Sequence, residues 1–392
     1  MEPISDRIQC TVTGEGYKAF AEIVKAESHG GKVLLYAEEG RRGDDAQAAL
    51  ALLGIPLVRR NLTPSVLCDY ALLLERALPE NLMAIAGVGG AAQIEAAKAV
   101  RAGRSLPRIL FPLDLSALSA ADDRIFFGTK GDLLSLRSEG QHTILAPEIL
   151  SLSGETRAGL GYLLARLVEK ADEAFEGVIL EGKIPAPTLR EIKQAATLFS
   201  NLREENAAAD LTEIAIDWQK RGVLDASHEA GAPFVLAMLA AKQTGGAYPD
   251  YLFPASYALL RLYESYLADF PLEHCPPPDR EQNVLLLAKR CGMSTRALRL
   301  RGKPYAEGYE ERSRRAAEYR EDFAELFSKQ NLPLAALTRV YRRAKKGQAE
   351  SRSLDAGELL SLLSLTGEAV SGYPLLKHIK MTGLIEPLIA AS

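Results

Sequence analysis

Cysteine is scarce in this 392-residue sequence: it has only Cys10, Cys68, Cys275 and Cys291. None belongs to a C-x-x-C pair, so their spacing predicts neither a zinc knuckle nor a redox dithiol. We interpret all four as buried or idle thiols in a reducing cytosol. The chain has five histidines and carries no Gly-x-Ser-x-Gly elbow and no P-loop. These absences exclude the common serine hydrolase and P-loop nucleotide-binding motifs.

The sequence also lacks long apolar runs and a strong charge of one sign. Apolar stretches such as Ala48–Val58 are much shorter than the roughly 20 residues that cross a bilayer. The segment Met1–Gln9 lacks the apolar run of a secretory signal. The formal net charge is -4 and the pI about 5.9, so no positive field favours nucleic acid or anionic lipid. We predict a cytoplasmic protein that binds no nucleic acid and no membrane, and whose partner is a small-molecule ligand.

The first 150 residues alternate short β-rich runs with amphipathic helical stretches, on a composition typical of globular proteins. The predicted strands are Ile8–Val12, Val33–Ala37, Pro56–Leu62, Leu82–Val88, Arg108–Leu113, Arg124–Gly128 and Thr143–Ala146. The predicted helices among them are Tyr17–Ala26, Asp44–Leu53, Ser65–Ala77 and Ala91–Ala102. Apolar strands that alternate with helices indicate βαβ units and a parallel sheet. We predict a Rossmann-like, nucleotide-binding α/β domain over residues 1–150.

After residue 150 the strand signals stop, and the length of the chain favours a second domain. A capping-box spacing of Thr188 and Glu191 predicts a helix that runs to about Ala208. The other predicted helices are Thr156–Phe175, Leu211–Lys220, Phe234–Lys242, Pro254–Asp269, one from Asp279, Tyr309–Ser328, one from Asp355, and Tyr373–Thr382. The sequence therefore predicts an all-α C-terminal domain over residues 151–392.

A glycine turn is the most informative local feature. The apolar run Leu82–Val88 leads into Gly89 and Gly90, and a helical pattern follows directly from Ala91. Glycine lets the backbone turn tightly and approach a ligand, while a helix N-terminus presents free N–H groups and a positive dipole end. The pattern is typical of a pyrophosphate site. The alternative is a strand-to-helix turn that needs glycine only for close packing, and both interpretations stay open.

This turn, with the helical second half, resembles the iron-dependent alcohol dehydrogenase and dehydroquinate synthase superfamily, nearest its glycerol dehydrogenase and glycerol-1-phosphate dehydrogenase branch. The family motif is Gly-Gly-Gly-Ser-x-x-Asp-x-x-Lys, and Gly89, Gly90 and Lys98 match it. The motif is eroded, because Ala91 replaces the third glycine, Ala92 the serine and Glu95 the aspartate. The resemblance implies a dehydroquinate synthase-like fold and a homodimer.

The resemblance also implies a cofactor. NAD or NADP would bind over Gly89, Gly90 and Ala91, with Lys98 as the motif lysine. A family strand that ends in Pro-Thr near the nicotinamide resembles Ile109–Pro112, but a leucine follows here. Ser116 would supply a hydroxyl nearby.

The resemblance also bears on a divalent metal site. Family enzymes hold Zn²⁺ or Fe²⁺ with one carboxylate and two histidines, and the metal polarises the substrate alcohol. Here Tyr162 stands at the carboxylate position, Phe253 replaces one histidine, and His228 is the one matching ligand. One ligand of three does not hold a catalytic ion, so we expect a substrate cleft without metal. An atypical site of Asp225, His228 and Glu229 is the alternative.

Two hypotheses about function follow. In the first, the chain is a diverged NAD(P)-dependent polyol or glycerol-phosphate dehydrogenase-like protein that has lost its metal site. If active, it is an oxidoreductase acting on an alcohol. In the second, it is a catalytically silent relative that serves as a nucleotide- or metabolite-binding module. A metal-free enzyme with Tyr162 or Lys98 as acid or base is a third interpretation without positive support.

Overall fold

The computed structural model describes residues 8–62, 78–100, 105–129, 132–138, 140–152, 154–182, 186–224, 230–268, 280–301, 308–328, 331–344, 354–382 and 385. The predicted helix Ser65–Ala77 and the candidate ligand His228 lie outside these residues, as do Asp225 and Glu229.

A parallel sheet forms the centre of the first half. The strands are β1 (Ile8–Val12), β2 (Lys32–Ala37), β3 (Leu57–Asn61), β4 (Leu82–Gly89), β5 (Arg108–Pro112), β6 (Arg124–Thr129), β7 (Asp132–Arg137) and β8 (Gln141–Leu145). Six of them pair in parallel in the order β1-β8-β5-β4-β2-β3. Strands β4 and β5 are almost continuously buried, as expected for a parallel sheet covered on both faces. The predicted α/β fold is therefore confirmed.

Helices cover both faces of this sheet. They are α1 (Gly16–Glu27), α2 (Arg41–Leu52) and α3 (Ala91–Ala99). Alternate residues of β2 enter two separate apolar clusters, because successive side chains of a strand point to opposite faces. Val33 and Leu35 pack with Phe20 of α1, whereas Leu34 packs with Ile94 of α3. The glycine-fronted helix α3 thus lies on the face opposite α1.

The predicted strand Arg124–Gly128 forms, but its place in the parallel sheet was wrong. As β6 it pairs antiparallel with β7 in a separate two-stranded sheet, with Thr129 opposite Asp132. Only two residues separate the two strands, which is the spacing of a tight hairpin. The sequence analysis missed β7, because its run of leucines lacks the β-branched residues that mark strands.

After β8, every described element is helical. The helices are α4 (Pro147–Leu150), α5 (Thr156–Glu181), α6 (Ala186–Leu198), α7 (Ala207–Lys220), α8 (Ala232–Thr244), α9 (Pro249–Ala268), α10 (Arg280–Cys291), α11 (Thr295–Arg301), α12 (Tyr309–Glu318), α13 (Arg320–Leu326), α14 (Leu334–Arg343), α15 (Ala356–Thr366) and α16 (Leu375–Met381). The 26-residue α5 contributes to the largest apolar cluster, which also includes Leu115, Leu118 and Phe126 from the first half. No described helix combines the length and apolar composition needed to cross a membrane.

Two predicted helices are interrupted in the structure, and the predicted helix Pro254–Asp269 begins earlier, at Pro249. The helix from Thr188 to Ala208 ends at Leu198, and Thr188 lies inside it rather than capping it. Two short 3-10 turns follow, and Asp210 accepts hydrogen bonds from the Arg203 backbone N–H (2.7 Å) and guanidinium (2.6 Å). These bonds stabilise the non-α-helical connection between α6 and α7. The predicted helix Tyr309–Ser328 breaks at Tyr319 into α12 and α13.

Candidate nucleotide site and the adjoining ion network

The glycine turn lies at the carboxyl end of β4 and leads into α3. Gly89 has a φ of +138°, a backbone conformation that residues other than glycine rarely adopt. A Cβ atom on Gly89 would lie 3.0 Å from Glu38 Cβ and 3.2 Å from Gln93 Oε1. The turn therefore requires glycine both for its backbone conformation and for the close approach of its neighbours.

The first amides of α3 differ in whether they have an acceptor among the described residues. No side chain caps this helix at Gly90. The Ala91 N–H donates to Ser116 Oγ at 3.1 Å, and the Ser116 hydroxyl donates to Asp114 Oδ1 at 2.5 Å. Within the described residues, the amides of Ala92 and Gln93 have no acceptor. Two N–H groups at a positive dipole end can therefore receive an anionic oxygen.

Carboxylates stand beside the same turn. Glu38 follows β2, and its Oε1 accepts from Arg42 Nε at 2.8 Å. Asp114 Oδ2 lies 2.9 Å from the position of a Gly90 Cβ. Burial raises the pKa of Glu38, the nearby Asp114 adds to that rise, and Arg42 opposes it. The site thus combines amide donors for an anion with carboxylate acceptors for hydroxyl groups.

Lys98 does not lie at the turn. It stands eight residues after Gly90, a distance of about 12 Å along a helix. Its Nζ is fully buried and donates to Ser119 O at 2.8 Å and to Arg124 O. Of the predicted cofactor residues, the structure brings Gly89, Gly90, Ala91 and Ser116 together and places Lys98 elsewhere.

Glu95 and Tyr248 connect the same helix to its surroundings. The Glu95 carboxylate accepts from Ser119 Oγ at 2.7 Å, from the Phe126 N–H at 2.9 Å and from Tyr248 Oη at 3.5 Å. Burial raises the pKa of this carboxyl group, against the lowering effect of Lys98. Both charged residues of α3 therefore bind the polypeptide that leads into β6.

Tyr162 occupies the position where the resemblance implies a metal-binding carboxylate. Its ring is buried and packs edge-on against Phe234, with centroids 5.8 Å apart. Its hydroxyl has no hydrogen-bond partner in the described part of the chain. Burial raises the pKa of Tyr162 well above 10, so the side chain is a neutral phenol. A buried neutral phenol is a poor ligand for a divalent cation.

Phe253 lies close to this position through the crossing of α5 and α9. A Cβ atom on Gly161 would be only 2.7 Å from the backbone N of Phe253, so glycine permits the contact. The Phe253 ring stacks on Tyr341, with centroids 4.1 Å apart. The structure therefore brings two predicted cleft residues, Tyr162 and Phe253, into adjacent helices.

A buried ion network adjoins Tyr162. Arg124 on β6 donates from Nη2 to Asp122 Oδ2 (2.6 Å) and to Glu169 Oε2 (2.9 Å). Arg166 also donates to Glu169, and the Gly231 N–H donates to Glu169 Oε1 at 2.6 Å. Burial alone would raise the pKa of Asp122, but the two guanidiniums lower it to about 2. All four charged side chains are at most 3% exposed.

Aromatic rings enclose the guanidinium of Arg124. Its Cζ lies 5.0 Å from the ring centroids of both Phe126 and Phe234, at cation–π distance. Those two rings stack with centroids 4.7 Å apart. The site next to Tyr162 is therefore filled by a cation that the protein itself supplies.

The described residues do not fit a divalent metal. Glu169 already binds two guanidiniums and a backbone N–H, and a metal ion would be repelled by Arg124 and Arg166. Across the described ranges, no group of three or more His, Cys, Asp or Glu side chains could hold a metal ion.

Sequence reasoning missed Arg124, Arg166 and Glu169. With Tyr162, the last two follow an i, i+4, i+7 spacing that places them on one face of α5. This shared face was the available signal. No local sequence pattern predicts that Arg124 pairs with Glu169, because the two residues lie 45 positions apart in the chain.

Comparison with known proteins places the chain among dehydrogenase folds. No protein-family profile matches the sequence, and no curated protein is significantly similar to it. The structure is similar to an iron-containing alcohol dehydrogenase from Thermotoga maritima (TM-score 0.60, 12% identity, 98% of both chains covered). It is also similar to one from Corynebacterium glutamicum (0.58, 13%, 98% of this chain and 97% of that chain). A probable glycerol dehydrogenase from Sinorhizobium meliloti gives a TM-score of 0.53 at 11% identity, with 98% and 97% covered.

The chain thus has an alcohol dehydrogenase fold. More specifically, it has the fold of the iron-containing alcohol dehydrogenases and glycerol dehydrogenases, as the sequence predicted. At these identities the likeness establishes the fold, and the argument for function rests on the site.

Proposed function

We propose that the protein binds NAD at the turn Gly89–Ala91 and no longer carries out metal-assisted alcohol oxidation. In this proposal it is a nucleotide-binding module on a dehydrogenase fold. The observation that carries the proposal is the buried pairing of Arg124 and Arg166 with Glu169 beside Tyr162. This pairing supplies positive charge where alcohol oxidation of the family type needs metal ligands.

Two amides of α3 that have no acceptor among the described residues support nucleotide binding. Ala92 and Gln93 offer N–H groups at the helix N-terminus, and the φ of Gly89 lets the backbone approach a phosphate. Ser116 holds the neighbouring Ala91 amide, so the turn is ordered before a ligand arrives. A turn that is already ordered loses less conformational entropy on binding.

Glu38 supports NAD rather than NADP. Its carboxylate follows β2 and lies next to Gly89, where an acidic residue accepts hydrogen bonds from ribose hydroxyls. A 2′-phosphate would face the negative charges of Glu38 and Asp114. Arg42 offsets this repulsion in part, since it pairs with Glu38.

Tyr162 and Lys98 do not support acid–base catalysis. The Tyr162 hydroxyl is buried, and its raised pKa keeps its proton bound near neutral pH. The Lys98 ammonium is bound to two backbone carbonyls in the interior. General acid–base chemistry needs a group within hydrogen-bond reach of the substrate. The homodimer, the cytoplasmic location and the boundary at residue 150 remain predictions.

Ligand binding, metal content and turnover test the proposal together. We expect NAD⁺ to raise the melting temperature by several degrees through mass action, and NADP⁺ to raise it less. Elemental analysis should show no stoichiometric zinc, iron or nickel. Mixtures with glycerol or glycerol 1-phosphate should form no NADH, with or without added Zn²⁺ or Fe²⁺. One tightly held metal per chain, or NADH formation, would refute the loss of metal chemistry, and an unchanged melting temperature would refute nucleotide binding.

A further inference from the structure

A separate cavity lies in the helical half, between α9, α14 and α15. Its volume is about 360 Å³, within the range of roughly 300 to 1,000 Å³ that is usual for small-molecule sites. None of its lining residues belongs to the glycine turn or to the ion network. What this cavity binds is therefore a question distinct from the nucleotide site.

The walls of the cavity are mostly apolar. The stacked rings of Phe253 and Tyr341 form one part of the lining. Leu359, Leu360 and Leu363 of α15 form another. A ligand gains about 25 cal/mol for each Å² of apolar surface that it buries here, so a fully polar metabolite would gain little. The lining favours a ligand with an alkyl chain.

The charged side chains of the lining are all positive. Arg261 and Arg342 line the cavity, and none of the described lining residues is acidic. Arg261 already pairs with Glu264 at 2.6 Å. The exposed guanidinium of Arg342 binds no acceptor in the described ranges, whereas its neighbour Arg343 pairs with Glu204. This guanidinium at the rim has no acceptor among the described residues, and its fork geometry matches a carboxylate.

We propose that this cavity binds a medium-chain fatty carboxylate. The alkyl chain lies among the leucines and the two stacked rings, and the carboxylate pairs with Arg342 at the rim. Decanoate combines an alkyl chain with one carboxylate, and a volume of about 360 Å³ is sufficient for a ligand of this size.

Calorimetric titration with decanoate tests the proposal. Decanamide is the ligand control, because it has the same number of heavy atoms and no charge. We expect one saturable decanoate site per chain and at least about tenfold weaker binding of decanamide. Failure of decanoate to bind saturably, or equal affinity for both ligands, would overturn the proposal.

Two arginine variants locate the carboxylate. Arg342→Ala should weaken decanoate binding by about tenfold or more and leave decanamide binding nearly unchanged. Arg343→Ala is the matched control: the residue is the next in the chain, exposed and outside the lining, and decanoate affinity should stay at the wild-type value. An unchanged decanoate affinity in Arg342→Ala contradicts the assignment.

Filling the cavity tests the place of the alkyl chain. Ala258 lines the cavity, and Ala258→Phe should abolish binding of both ligands. If circular dichroism shows that this variant does not fold, Leu360→Phe serves the same purpose. The NAD⁺ melting shift should persist in these variants, so that failure of the fatty-carboxylate site and failure of nucleotide binding can be distinguished.

Discussion

The guanidinium of Arg124 on β6 and the carboxylate of Glu169 on α5 form a two-point hydrogen-bonded pair in the interior. Neither side chain is more than 3% exposed. The pair joins the β6–β7 hairpin of the first half to the longest helix of the second half. Buried pairs of this kind add little net stability compared with apolar side chains, but losing one partner leaves a costly unpaired charge.

Removal of the shared carboxylate should therefore be severe. Glu169→Leu leaves two buried guanidiniums with one carboxylate between them, and we expect a loss of about 3–5 kcal/mol in the free energy of unfolding. Urea denaturation measures it. Arg299→Ala is the control, because it breaks an exposed pair with Glu281 and should cost at most about 1 kcal/mol. Similar losses in the two variants would contradict a special role of the buried pair.

The Tyr162 hydroxyl should be dispensable. Because it has no partner among the described residues, Tyr162→Phe should leave the free energy of unfolding unchanged or raise it by about 1 kcal/mol. In contrast, Tyr263 donates to buried Asp172 at 3.0 Å, so Tyr263→Phe should cost about 1–3 kcal/mol. Thermal and urea unfolding of both variants measure the difference, and a destabilised Tyr162→Phe would show a hidden partner.

Asp172 should make stability depend on pH. Burial raises the pKa of its carboxyl group from 3.8 to about 8. Between about pH 4 and pH 8 the unfolded chain has lost this proton while the native protein retains it, so stability falls as pH rises.

Asp172→Asn removes this titration and keeps an oxygen that accepts from Tyr263 and from the Leu375 N–H. The unfolding free energy of the variant relative to that of the wild type should rise from pH 5 to pH 8. The growth is at most about 1.4 kcal/mol per pH unit. Urea titrations at four pH values measure this difference, and a difference that is constant with pH would rule out a raised native pKa.

Glu38 should control the choice between NAD and NADP. Glu38→Gln removes negative charge next to Gly89, and we expect the NADP⁺ melting shift to approach that of NAD⁺. The exposed neighbour Glu39 provides the control, and Glu39→Gln should keep the wild-type preference. If both variants retain the preference, the carboxylate does not select the cofactor.

Much of the sheet could be predicted from the sequence because the information is local. The apolar run of β4 and the glycines that follow it lie in one continuous segment, so the strand, the turn and α3 were all predicted. Strand β6 was assigned to the wrong sheet and β7 was missed, because a run of apolar residues does not specify its pairing partner.

The candidate site likewise has a part that could be predicted from local sequence and a part that could not. The glycine turn needed only neighbouring residues, whereas Ser116 reaches the Ala91 amide only because the chain returns after β5. Lys98 matched a motif by spacing, but burial decides what its ammonium contacts. The pairing of Arg124 with Glu169 depends on tertiary packing and could not be inferred from either segment alone.

The Gly231 amide that Glu169 holds stands at the start of α8, and α8 carries Phe234 against the Arg124 guanidinium. A cation-binding site at this place would therefore need several changes at once. Replacing Arg124 or Arg166 alone removes one of the two guanidiniums that pair with Glu169. Replacing Glu169 alone removes the hydrogen bond that its carboxylate accepts from the Gly231 N–H at the start of α8. Each single replacement should lower the stability of the fold before any metal affinity is gained.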